Sequence, residues 1–82
     1  MGNRVRVDKN LLIEIGNRLR DARLNQNITH EEVNEALKIN IFRHEKGEVN
    51  ISISTLALIC KYYKISLTDV LTGLKSSLPI AE

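Results

Sequence analysis

The chain has 82 residues, with 12 Lys and Arg against 10 Asp and Glu, which suits one domain with a modest core but no broadly basic surface. Leu and Ile are abundant and aromatics make up 4 %, a balance that favours a helical domain over a β-sandwich. Apolar runs are too short for a membrane span, the first residues lack a signal-peptide pattern, and the lone Cys60 cannot form an internal disulfide, so the expectation is a cytoplasmic all-α protein.

Charge is unevenly spread. Residues 1–25 carry Arg4, Arg6, Lys9, Arg18, Arg20 and Arg23 against Asp8, Glu14 and Asp21. Residues 26–50 reverse the balance, with Glu31, Glu32, Glu35, Glu45 and Glu48 outnumbering Lys38, Arg43 and Lys46. Any contact with nucleic acid must therefore be local, made by a few cations on one face.

In chain order, residues 1–9 read as a basic arm. Arg4 to Val7 alternates with a period of two, as a short strand, an arm on phosphates or a frayed terminus would. A first helix starts at Asp8 or Asn10, either a good N-cap. Leu12, Ile15, Leu19 and Ala22 form its buried stripe, with Arg18, Arg20 and Arg23 largely outside it. Asn27 suits a left-handed terminator. Thr29 and Glu32 predict a capping box opening a second helix, with Ile28 and Val33 as the hydrophobic staple. Val33, Ala36 and Leu37 are its core-facing positions.

Lys38 to Asn40 reads as a tight turn. Asn40 then caps a short third helix, Ile41 to Lys46, which Gly47 ends. Glu48 to Ser52 is a loop. The fourth helix runs from about Ile53 to Tyr63, with Leu56, Ile59, Cys60 and Tyr63 on one face and Leu58 and Tyr62 on a second. Ser66 and Asp69 form another capping box, opening a fifth helix with the stripe Leu67, Val70, Leu71 and Leu74 and a weakening Gly73. Residues 75–82 form an apolar but aperiodic tail containing Leu78, Pro79 and Ile80.

Ile15 to Leu71 resembles the phage-repressor-like (XRE-type) helix-turn-helix family. The stretches that carry the likeness are Ile15-Gly16-Asn17-Arg18-Leu19-Arg20, Ile28-Thr29-His30-Glu31-Glu32-Val33, Glu45-Lys46-Gly47 with Asn50 and Ser54-Thr55-Leu56, and Ile65 to Leu71. The resemblance implies a five-helix bundle over residues 10–74, lambda-repressor-like, with Ile39 to Gly47 as the part that enters a DNA groove. Two departures stand out. The chain is about three residues shorter than the family pattern between Ile39 and Ile41, about 300° of helical phase, so the third helix keeps its inner face and loses a turn. Its apolar anchors are then Ile41 and Phe42. Asn34 and His44 also stand where the family places apolar residues, at a cost of about 1–3 kcal/mol each unless hydrogen-bonded.

The DNA-binding candidates are His30, Asn40, Arg43, His44, Lys46, Asn50 and Arg18. His30 at the start of the second helix suits a phosphate beside that helix's free N–H groups, or is a solvated surface residue. Asn40 caps the third helix or pairs with an adenine edge. Arg43 offers its planar fork to guanine or phosphate, or forms a surface ion pair with Glu45 or Glu48. His44 also fits a satisfied, half-buried position. Lys46, Asn50 and Arg18 suit phosphate contacts, which position a protein without reading sequence.

Cys60 on an apolar face reads as an inert core residue. The two histidines lack the partners of a zinc site, and no nucleophile–base arrangement or phosphate-binding glycine loop stands out, so neither metal, cofactor, small-molecule substrate nor catalysis is expected. The expected function is a sequence-specific transcriptional regulator acting on double-stranded DNA as a homodimer: a phage-type repressor, an antitoxin or a restriction–modification controller. The dimer is expected to use Leu58, Tyr62, Leu74, Leu78 and Ile80. The alternative is a protein–protein interaction module of the same fold, which the acidic second helix and shortened turn suit.

Overall fold

The structure, a computed structural model, describes residues 8–74. Over these residues the protein is an all-α bundle: α1 (Lys9–Asn25), α2 (His30–Leu37), α3 (Ile41–Glu45), α4 (Ile53–Tyr63) and α5 (Leu67–Leu71), without strands. The Arg4–Val7 expectation and the apolar tail fall outside the described residues.

Side-chain caps set most of the helix starts. Of the two candidates for α1, Asp8 takes the cap, accepting from the Leu11 N–H at 3.0 Å. Both expected capping boxes form. Thr29 and Glu32 exchange bonds of 3.1 and 2.8 Å, and Ser66 and Asp69 exchange two of 3.0 Å. Ser52, which the pattern puts in a loop, caps α4 through the Thr55 N–H at 3.1 Å. Asn27 ends α1 in the left-handed region at φ 57°, as expected. Lys38 and Lys64 adopt the same conformation after α2 and α4, which no feature of their side chains announces.

Ile15, Leu19, Val33, Ile41, Leu56, Ile59, Cys60, Tyr63 and Val70 form one buried cluster, and Leu12 is buried on the same stripe of α1. All four expected core positions of α4 are in it. Ala36 is exposed, contrary to expectation, because α2 turns only a narrow face inward at Val33 and Leu37. In α5 only Val70 is fully buried. That helix stops at Leu71, just over one turn long, so one position faces the core while Leu67 and Leu74 pack at its edge.

The main correction concerns α1. Arg23, placed outside the stripe by pattern, is 7 % exposed and continues the buried line one turn beyond Leu19. Gly16 lies on the same line. A Cβ there would sit 2.4 Å from the Glu45 carbonyl oxygen and 2.6 Å from that of His44, so glycine is what lets α1 approach the α3 backbone. Gly47, with φ 74°, lies under Ile13, whose backbone nitrogen would be 2.8 Å from an added Cβ. These two contacts set how α3 is carried on α1.

Candidate functional site

α3 is five residues long, too short to be stable by local hydrogen bonding, so its position depends on its anchors. Ile41 is fully buried in the core cluster. One turn later Glu45, 6 % exposed, meets Arg23 across the α1–α3 interface, with Nε to Oε2 at 2.6 Å and a terminal guanidinium nitrogen to Oε1 at 3.2 Å. The remaining guanidinium nitrogen donates to the Ile28 carbonyl at 2.9 Å, tying the α1–α2 turn to the same pair. The hydrogen bond to Glu45 raises the pKa of Arg23 above its ordinary value despite burial, so the guanidinium stays charged. An ion pair held this way fixes direction as well as distance.

Glu45 has a second partner. His30 Nε2 lies 3.1 Å from Oε1, so the carboxylate joins α1, α2 and α3 at one point. The His30 and Phe42 rings pack in a T-shape, steeply inclined at 72°, with centroids 5.3 Å apart. His30, expected at a phosphate or in solvent, instead lies against α3 with its ring nitrogen engaged by Glu45.

The start of α3 is closed by two asparagines. Asn40 accepts from the Arg43 N–H at 3.4 Å, which makes it the helix cap. Asn34 accepts from the Ile41 N–H at 2.7 Å, so its side-chain oxygen is satisfied and it fastens α2 to α3 across the Lys38–Asn40 turn. Two of the N–H groups at this end, those of Ile41 and Arg43, are thus taken by side chains.

The outward face carries Phe42, Arg43 and Lys46. Phe42, expected as a second anchor, is instead 47 % exposed, because Ile41 and Glu45 one turn apart take the inward direction. Lys46 Nζ lies 4.9 Å from the centre of its ring. Arg43 and Lys46 share Glu48, at 3.6 and 3.5 Å, so Arg43's ion pair is with Glu48 and Glu45 is kept inside. Asn50 follows in the exposed α3–α4 loop.

His44 departs from the satisfied position expected of it. It is half-buried with Nδ1 unpartnered, and burial, followed by the charge of Arg43, lowers its pKa below the ordinary histidine value. Tyr63 has a buried hydroxyl without a partner, and burial followed by the negative charge of Glu45 pushes its pKa up.

Arg18 stands apart from this face. Its guanidinium donates to the carbonyls of Asp69, Val70, Thr72 and Gly73, closing the C-terminal end of α5. The cluster on α3 thus brings together His30, Asn40, Arg43 and Lys46, with His44 turned partly inward. Sequence reasoning missed Arg23 and Glu45, and the exposure of Phe42. The available signal was spacing: Arg23 follows Leu19 by four and Glu45 follows Ile41 by four, opposite charges at core-facing positions.

Among the described residues no helix is long and apolar enough to cross a membrane, and no group of three His, Cys, Asp or Glu could hold a metal ion. Compared with known proteins, the chain matches no family model, no curated protein and no solved structure.

Proposed function

We propose that the protein is a DNA-binding regulator of transcription, not an enzyme, working in the cytoplasm as a homodimer, with α2, the Lys38–Asn40 turn and α3 used as a helix-turn-helix. The observation that carries this reading is the division of α3 into two sides. Ile41 and Glu45 lock it onto the core and onto Arg23, while Phe42, Arg43 and Lys46 are left exposed. A short helix braced from behind and cationic in front meets the needs of a groove-docking element, because its side chains are presented on a fixed backbone. Phosphate contacts fall to Lys46 and Arg43, with Asn50 in the adjoining loop and His30 beside them. Arg43, with its planar fork, is the residue for guanine.

A single domain this small covers little DNA, and two-fold pairing doubles its contacts at about 34 Å spacing. Leu58, 44 % exposed on α4, is the apolar residue in the described part of the expected dimer surface that is most open to a second copy. Tyr62 and Leu74 contribute less, since each packs partly on its own core. Leu78 and Ile80 lie outside the described residues.

The test is selection from a random duplex pool at low salt, followed by titration of the preferred duplex and an unrelated one. The expected result is a preferred sequence. Arg43→Ala should cost about 1–3 kcal/mol on that sequence and much less on the unrelated duplex. Equal losses would reduce Arg43 to a positioning role. No retained duplex at low salt would overturn the proposal and leave the protein-interaction reading, which the exposed acidic residues Glu31, Glu32 and Glu35 of α2 favour.

A further inference from the structure

A single exposed apolar side chain is ordinary on a protein surface; what sets one apart is the groups around it. Phe42 is set apart in this way. Its neighbours along α3 divide cleanly: Ile41 is buried in the cluster, and Arg43 and Lys46 are exposed cations. Its ring is fixed on two sides, by the His30 ring at 5.3 Å and by Lys46 Nζ at 4.9 Å from its centre. Glu45 in turn holds His30 at 3.1 Å. An apolar side chain held between cationic and imidazole groups, on the helix proposed to dock in DNA, has its apolar surface next to groups that suit phosphate. Within the major groove the base edges offer one apolar feature, the C5-methyl group of thymine.

Resting on the DNA-binding reading above, we propose that Phe42 reads thymine by covering its methyl group, and so supplies base discrimination that a shortened α3 cannot obtain from polar side chains at its start. The side-chain oxygens of the two asparagines at that end are committed to backbone N–H groups of α3, at 2.7 and 3.4 Å, which takes the acceptor half of each amide out of base readout and gives the apolar readout to Phe42. The site that results is mixed: guanine through Arg43 and thymine through Phe42, on adjacent positions of the helix.

The experiment uses the full chain and the preferred duplex from the random pool, compared with a twin in which every thymine is replaced by uracil. The twin keeps each base pair and each hydrogen-bonding edge and removes only the methyl groups. Wild type should bind the thymine duplex tighter by about fourfold for each methyl covered, and about fifteenfold for one in each half of a dimer site. Phe42→Ala should bind both twins equally, and Phe42→Gln should do the same if the alanine variant fails to fold. A ratio of one in the wild type, on a duplex that it binds, overturns this inference and leaves the DNA-binding reading standing. A ratio that persists in Phe42→Ala overturns it too and assigns the methyl to another residue. If wild type retains no duplex at low salt, both readings fall together, and Phe42 is an anchor for a protein.

Discussion

His44 and Tyr63 show how single side chains tax this small core. Each has a buried polar atom without a partner, at a general cost of about 1–3 kcal/mol, against a total stability of about 4–12 kcal/mol for 82 residues. For His44 the cost depends on pH. Burial and the nearby Arg43 charge lower its folded pKa below the ordinary value of 6.5, so below that value the unfolded chain takes up the proton before the folded protein does. Above 6.5 both states are neutral at this residue and it adds no slope. As pH falls through 6.5 toward the lowered folded pKa, the unfolded state gains, and stability declines. His44→Leu removes both the unpaired nitrogen and this proton uptake. Its melting temperature should exceed that of wild type, by a margin that widens between pH 7.5 and pH 5. A margin that stays constant over that range would show that His44 does not titrate differently in the two states.

The elements depend on one another through the Arg23–Glu45 pair, which fixes α3 to α1 while His30 adds α2. Breaking such a pair leaves an uncompensated buried charge, which costs about 3–5 kcal/mol, whereas replacing both partners with apolar residues is often neutral. Arg23→Met and Glu45→Leu should therefore each lower stability by that amount, and the double substitution should recover most of the loss. Chemical denaturation of the four proteins measures this directly; losses that simply add would mean that the two groups do not depend on each other. Much of the bundle was legible from the chain because capping boxes and the α1 and α4 stripes are local patterns. Thr29 with Glu32 and Ser66 with Asp69 needed no tertiary information. The Arg23–Glu45 pair did: its members are 22 residues apart, and a charged residue at a core-facing position reads as solvent-facing until its partner is known. The same is true of Phe42, whose exposure follows from which neighbours α3 buries. Lys38 and Lys64 in left-handed positions were illegible for a different reason, since any residue can be forced there by the helices on either side.

For the whole molecule the question is how much of its modest positive charge is available to DNA. Arg23 is neutralised inside by Glu45, and Arg18 is spent on the carbonyls that end α5. The cations left exposed on α3 and at its C-cap are Arg43 and Lys46, and both lie beside Glu48. Arg43 and Lys46 of each protomer bring about four cations to the DNA of a dimer site, and the counterions they displace set a slope of about −3.6 for log affinity against log salt. Lys46→Ala should reduce the magnitude by about 1.8, with equal loss on preferred and unrelated duplexes, because a phosphate contact carries no sequence. Glu48 acts in the opposite sense. In the free protein it holds Arg43 and Lys46, and on DNA it stands close to the phosphates that those residues must reach. Removing its charge should favour binding, by about 1 kcal/mol per protomer for a charge pair near 4 Å in water, and by less as salt screens the interaction. Glu48→Gln is thus expected to bind random duplex more tightly at low salt, with the gain shrinking as salt rises. Titration of wild type, Lys46→Ala and Glu48→Gln across a salt series tests both signs together. An unchanged slope in Lys46→Ala, combined with no gain in Glu48→Gln, would remove α3 from the phosphate interface.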